Sequence, residues 1–139
     1  MTSAIDRRLA EARALITSIA SSEAEALRAA GALFVDTRRR EQRDEFGVIP
    51  GALVIDRNVL EWRLDPTSET RDPTAAAHTG PIVVYCQQGY SSILAVAELQ
   101  GLGVPEVHDL SGGFEAWSAA GLPIAAEDTA STECAPEGL

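Results

Sequence analysis

The 139-residue chain has no lysine at all. That excludes Schiff-base chemistry and the phosphate-cradling loop whose final turn requires a lysine. All eleven cations are arginines, and the last of them is Arg71. Up to that point eleven Arg stand against twelve Asp and Glu, a net charge of −1; beyond it nine acids meet no Arg, a charge of −9 that completes the formal −10. A pI near 4.5 leaves no basic footprint for nucleic acid. Cysteine is equally sparse. Cys86 and Cys134 are far apart, so no disulfide framework is expected and a reducing, cytoplasmic setting is the reading. Two isolated histidines, His78 and His108, do not combine with two isolated cysteines into a zinc site, nor does either form a dyad with Cys86, and no metal or organic cofactor is expected. No apolar run approaches the ~20 residues of a membrane span, and no signal peptide is recognisable at the start.

What the chain does have is alternation. Ser3 to Ile19 is amphipathic, with Ile5, Leu9, Ala12, Ile16 and Ile19 at helical spacing, while Asp6 and Glu11 argue against a transit peptide. Ser22-Glu23-Ala24-Glu25 fits a capping box and Gly31 a helix stop, which predicts a helix over Glu23 to Ala30 that feeds a Leu33 to Val35 strand. A short strand is expected at Leu53 to Ile55, helical and turn material from Asn58 to Thr79, and a doubly covered strand at Ile82 to Tyr85. A helix over Ile93 to Leu102, a strand over Val107 to Leu110 and a helix over Phe114 to Ala120 complete the series, which Gly121 and Pro123 end. Such alternation implies an α/β domain, a parallel sheet of about five strands with helices on both faces and the working site at its carboxyl edge. The expected organisation is an N-terminal amphipathic helix over 1–20, the α/β domain over 21–125 and a disordered acidic tail over 126–139. Trp62 and Trp117 read as packing anchors, and Cys134 as an exposed tail cysteine.

Cys86 follows the apolar run Ile82 to Tyr85 and precedes Gln87-Gln88-Gly89-Tyr90-Ser91-Ser92, which opens the next helix. Strand, cysteine, polar loop, helix is an order that builds a reactive thiolate. The loop turns backbone N–H groups inward, and the helix adds the positive end of its dipole. Bringing a thiol from about 8.5 to about 7 takes ~2 kcal/mol of preference for the thiolate, within reach of one or two hydrogen bonds to a charged acceptor.

The loop Cys86 to Ser92 resembles the active-site loop of the rhodanese-like sulfurtransferases, whose pattern is Cys-x-x-Gly-x-Arg followed by Ser or Ala. Asp36-Thr37-Arg38 resembles the family's Asp-x-Arg signature, Gly47 to Ala52 its Gly-His-Ile-Pro-Gly-Ala turn, and Leu110 to Trp117 its late Gly-Gly-x-x-x-Trp. The resemblance spans roughly Ser22 to Ile124. It implies a single-domain sulfurtransferase that carries sulfane sulfur on Cys86, from thiosulfate, mercaptopyruvate or a persulfide to a thiol, cyanide or a protein acceptor. Gln87 to Ser92 would cradle the terminal sulfur, with Gly89 permitting the loop's backbone angle and Tyr90, Ser91 and Ser92 contacting the donor or capping the helix. Asp36 would accept hydrogen bonds near the loop, and Arg38 would form an ion pair.

Two departures stand out. Val48 occupies the position of the turn's His, and Ser91 that of the loop Arg. A guanidinium serving the site must come from the first half of the chain. Arg57 and Arg63, after the Leu53 to Ile55 strand, are the candidates, and Arg57 is expected to substitute in part for the missing loop Arg. Three alternatives remain: a non-catalytic binding or regulatory module, a cysteine phosphatase or arsenate reductase, whose loop the absence of Arg disfavours, and a persulfide carrier for a partner protein.

Overall fold

The computed structural model describes residues 2–127. Helix α1 (Ala4–Leu15) opens with a reciprocal cap: the Ser3 hydroxyl accepts the Asp6 N–H at 3.1 Å, and the Asp6 carboxylate accepts the Ser3 N–H. It leads through β1 (Ser18–Ile19) to α2 (Ser21–Ala29), β2 (Leu33–Asp36), α3 (Arg40–Phe46) and β3 (Leu53–Val54). A 3₁₀ turn at Arg57–Val59 runs into α4 (Leu60–Leu64). After α5 (Pro73–Ala77), which Asp72 caps, come β4 (Ile82–Tyr85), α6 (Ser91–Gly101), β5 (Val107–Leu110) and α7 (Gly113–Ala119).

The five strands form one sheet in the order β1-β5-β4-β2-β3, and every pairing is parallel. Parallel strands all end at the same edge. The central strand, β4, is buried along its whole length, as is β2 beside it. Side chains alternate between the two faces. On one face Val35, Val84 and Val107 pack with Leu60, Val96 and Leu99 from α4 and α6; on the other, Phe34, Val83 and Tyr85 pack with Ala24 from α2 and with Phe114 and Trp117 from α7.

β4 and β5 match their expected ranges, and α2, α6 and α7 begin and end within two residues of theirs. Several details differ. The helix expected across the first twenty residues stops at Leu15, because Ser18 and Ile19 pair with Asp109 and Leu110 as an edge strand of the same sheet. No capping box forms at Ser22: leaving β1 directly, the chain enters α2 at Ser21, one residue after an Ala20 N-cap that makes no side-chain bond. Trp117 is fully buried, its Nε1 donating to the Pro123 carbonyl at 2.8 Å, but Trp62 is 51 % exposed and is no core anchor. Of the stretch 126–139 only Ala126 and Glu127 are described, and Glu127 pairs with buried Arg43 at 3.1 Å; Cys134 lies outside the described residues. Among the described residues no helix is long and apolar enough to cross a membrane.

Candidate active site

Cys86 is the first residue beyond β4, so the central strand delivers it to the carboxyl edge of the sheet. It is 7 % exposed and lies on a cavity of about 580 Å³. One wall is the loop itself, through Gln87, Gln88, Tyr90 and Ser91. The opposite wall comes from the end of β2 and from α3, through Thr37, Arg38, Arg39, Gln42 and Phe46, with Glu115 of α7 beside them.

The loop's shape is dictated from α7. The Phe114 and Glu115 N–H groups donate to the Cys86 and Gln87 carbonyls at 2.9 and 3.0 Å. In a trans peptide the N–H points opposite to the C=O, so the N–H groups of Gln87 and Gln88 point away from α7. This close approach requires glycine on both sides. A Cβ on Gly113 (φ +64) would lie 2.6 Å from the Cys86 carbonyl oxygen, and one on Gly89 (φ +86) would lie 2.9 Å from the Gly112 backbone.

Around the sulfur, the Gly89 N–H donates to Sγ at 3.1 Å, and the Ser92 hydroxyl lies 3.3 Å from it. Burial pushes the Cys86 thiol up. Hydrogen bonds from the Ser92 and Ser91 hydroxyls and the Ser92 and Gly89 N–H groups more than offset it, leaving the thiol below its ordinary value. The N-terminus of α6 contributes in the same sense. The Ser92 oxygen accepts the Cys86 S–H while its own single proton is donated to Oδ1 of Asp109, whose Oδ2 accepts from Ser18 at 3.0 Å. Asp109 is 1 % exposed. Burial pushes its carboxyl up to about 6, against the bonds from Ser92 and Ser18 and the charge of Arg13.

A second polar group braces the wall. The Arg38 guanidinium binds Asp36 at 2.8 Å, the Gly47 carbonyl at 2.7 Å and Gln87 Oε1 at 3.0 Å, and lies 4.1 Å above the Phe114 ring. The Tyr85 hydroxyl donates to Asp36 at 2.7 Å. Asp36 and Arg38 therefore tie β2 to β4, to the Gly47 turn and to the loop.

The structure brings together Cys86, Gln87, Gln88, Tyr90 and Ser91 on one cavity, with Arg38 across from them. Gly89 and Ser92 do not line it; they act on the sulfur itself. Arg57 does not reach it. Its Nη1 donates to both oxygens of Glu61, at 2.9 and 3.0 Å, and it borders a separate cavity with Arg8 of α1 and Leu94 of α6. The 3₁₀ turn after β3 aims Arg57 at the α1–α6 side, so the expectation that it replaces the loop Arg is corrected. Arg63 is buried, with Nη1 donating to the Thr70 carbonyl at 2.6 Å, and borders another cavity. Two arginines line the Cys86 cavity: Arg38, whose guanidinium is engaged by Asp36, and Arg39, exposed at the N-cap of α3. The run Arg38-Arg39-Arg40 was the only signal of Arg39. Asp109, the strand acid beside His108, has no local signature of its position under Cys86.

A family model of the rhodanese-like domain matches residues 20–120. The chain is 37 % identical over 101 residues to a protein of Ectopseudomonas mendocina named thiosulfate sulfurtransferase GlpE, covering 73 % of this chain and 84 % of that one. It is 33 % identical over 96 residues to a sulfurtransferase of Allochromatium vinosum, covering 69 % and 80 %. Among solved structures, it superposes with a TM-score of 0.81 and 34 % identity on a Rhodopseudomonas palustris protein of unknown function described as a possible tyrosine phosphatase, over 90 % of this chain and 96 % of that one. With the cysteine loop, the Gly-Gly support and the Asp36–Arg38 brace in their places on a five-stranded parallel sheet, the chain belongs to the rhodanese-like domain family and is a rhodanese-type sulfurtransferase.

Proposed function

We propose that this chain moves a sulfane sulfur from thiosulfate or a similar small donor to a thiol through a persulfide on Cys86. The observation that carries the reading is a sulfur with a lowered pKa, held by Gly89 and Ser92, on an open cavity whose far wall presents Arg39. In the first step the Cys86 thiolate attacks the outer sulfur of thiosulfate. The S–S bond of the donor breaks, sulfite leaves with its electron pair, and a persulfide anion remains on Cys86. The Gln87 and Gln88 N–H groups, turned away from α7, are the donors for its terminal sulfur. Arg39 attracts the incoming dianion. In the second step an acceptor thiolate attacks that outer sulfur and Cys86 departs as a thiolate, so that sulfur, charge and electrons balance without a metal or redox cofactor. Cyanide and mercaptopyruvate fit the same chemistry as acceptor and donor.

Phosphoryl transfer is the weaker reading despite the name given to the Rhodopseudomonas relative. It needs a guanidinium in the loop, where this chain has Ser91 and Ser92, and Glu115 adds a carboxylate to the cavity wall. The test is intact mass after incubating the reduced protein with thiosulfate. A gain of one sulfur is expected in the wild type and none in Cys86→Ser. Labelling in neither protein makes the domain a binding module, and labelling that survives the substitution moves the chemistry to Cys134.

A further inference from the structure

The geometry points to Ser92 and Asp109 as a proton relay that serves the Cys86 sulfur, with Asp109 the internal base that holds the thiol's proton while the sulfur is ionised. Three groups from three elements stand in line: Cys86 Sγ after β4, Ser92 Oγ on α6 at 3.3 Å, and Asp109 on β5, bound directly to Ser92 Oγ. A hydroxyl placed between a thiol and a buried carboxylate has one proton to give and can receive another at the same time. With Asp109 ionised, Ser92 donates to Asp109 and turns a lone pair toward sulfur, where it accepts the S–H. When the Cys86 S–H bond breaks, that proton passes to Ser92 Oγ as the Ser92 proton passes to Asp109 Oδ1. The sulfur keeps the electron pair, one negative charge moves from carboxylate to sulfur, and Ser92 now donates to the thiolate. No oxidant, reductant or co-reactant is needed.

The surroundings suit this exchange. Asp109 faces Ser92 on α6, Ser18 on β1 and the charge of Arg13 on α1, and it borders a cavity of about 210 Å³ on the far side of the loop, to which Gly89, Tyr90 and Ser111 also contribute. Neighbouring His108 points to the other face of the sheet, by strand alternation. Burial raises the carboxyl to about 6 while the hydrogen bonds at the loop lower the thiol, so the two proton affinities converge and neither group titrates alone. The same geometry serves the second half of the transfer: when Cys86 leaves the persulfide, Ser92 donates to the departing thiolate and Asp109 keeps its proton. That consequence rests on the sulfur-transfer reading; the relay itself does not.

The experiment is therefore the pH dependence of iodoacetamide alkylation at Cys86, which reports the thiolate independently of any sulfur donor. The Cys134→Ser background isolates the site. A relay gives a rate that rises in two steps, the first near pH 6 as one proton is lost from the pair and the second at higher pH as the last proton leaves. Asp109→Asn and Ser92→Ala are expected to lose the first step and leave a single rise. Ser18→Ala removes a bond that favours the carboxylate, and is expected to shift the first step up by about one pH unit while keeping it, a movement that a merely structural Asp109 would not produce. A single rise in the parent protein, or a first step that survives Asp109→Asn, overturns the relay. If Asp109→Asn does not fold, the parent profile and the Ser18→Ala shift still decide. A protein that alkylates in two steps yet never takes sulfur from thiosulfate would sink the sulfur-transfer reading and leave the relay intact.

Discussion

Replacing Arg38 by methionine keeps most of the side chain's length and volume and removes its charge. In the structure that charge is wholly buried against Asp36. After the substitution the Asp36 carboxylate keeps the Arg38 backbone N–H at 2.9 Å and the Tyr85 hydroxyl at 2.7 Å, but no cation. Breaking a buried pair by removing one partner costs ~3–5 kcal/mol, because the charge left behind is not hydrated. For a domain of this size each kcal/mol moves Tm by roughly 3–5 °C, so a fall of about 10–25 °C is expected. The attribution is checked by urea denaturation of Arg38→Met, Asp36→Asn and the double variant. Asp36→Asn/Arg38→Met has no stranded charge and should be more stable than the sum of the single losses predicts, by a coupling of about 2 kcal/mol or more. Additive losses, within about 0.5 kcal/mol, would refute the brace as an energetic unit. The same variant should also alkylate more slowly at Cys86, since Gln87 loses the guanidinium that holds its Oε1.

Arg39→Ala is expected to raise the KM for thiosulfate about three- to tenfold with little change in kcat, the loss of one charge-assisted bond at a screened, exposed position. Arg57→Ala should leave both parameters unchanged, since Arg57 is engaged with Glu61 away from the cavity; initial rates that reverse this order would return the role to Arg57. Gly113→Ala forces a Cβ to within 2.6 Å of the Cys86 carbonyl oxygen and 2.7 Å of the Gly89 nitrogen at φ +64. A left-handed alanine costs ~1–2 kcal/mol and the forced backbone shift ~1–3 kcal/mol, so a loss of ~2–5 kcal/mol with slowed Cys86 alkylation is expected. Wild-type stability and alkylation in that variant would show that the loop does not depend on this contact.

The parts of the fold that were legible in the sequence are those with a strong local signal. Ile82 to Tyr85 is a continuous apolar run and became the central strand; Val107 to Leu110 became its neighbour. The paired glycines before Phe114 were legible as part of the family's late motif, but that they let the backbone approach the Cys86 loop is seen only in the structure. β1 was missed because two residues carry no period. α3 was missed because Arg40 to Phe46 is a charged run with a single apolar residue, yet it supplies Gln42 and Phe46 to the site. Arg57 was misassigned for a different reason. The parallel order says on which edge a strand ends, but not which way a side chain on the following 3₁₀ turn faces. Ser92 and Asp109 are seventeen positions apart on a helix and a strand. Only the packing of α6 across β5 shows that they meet.

How the site ionises its sulfur follows from the charge distribution along the chain. Beyond Arg71 there is no cation, so the Cys86 loop cannot draw on a charge of its own. Its stabilisation comes from neutral donors at short range: the Gly89 N–H, the Ser91 and Ser92 hydroxyls and the first turn of α6. The guanidiniums stand on the β2–α3 wall, where Arg38 is committed to Asp36 and Arg39 is open to solvent. Fixed dipoles stabilise a small, singly charged sulfur efficiently because they need no counter-charge to be desolvated. They are poor at holding a phosphate dianion, which asks for paired hydrogen bonds from a charged donor. On the proposed reading, separating the two jobs, dipoles for the sulfur and one peripheral arginine for the incoming donor, would suit this loop to sulfur transfer with serine in the place of the family's loop arginine.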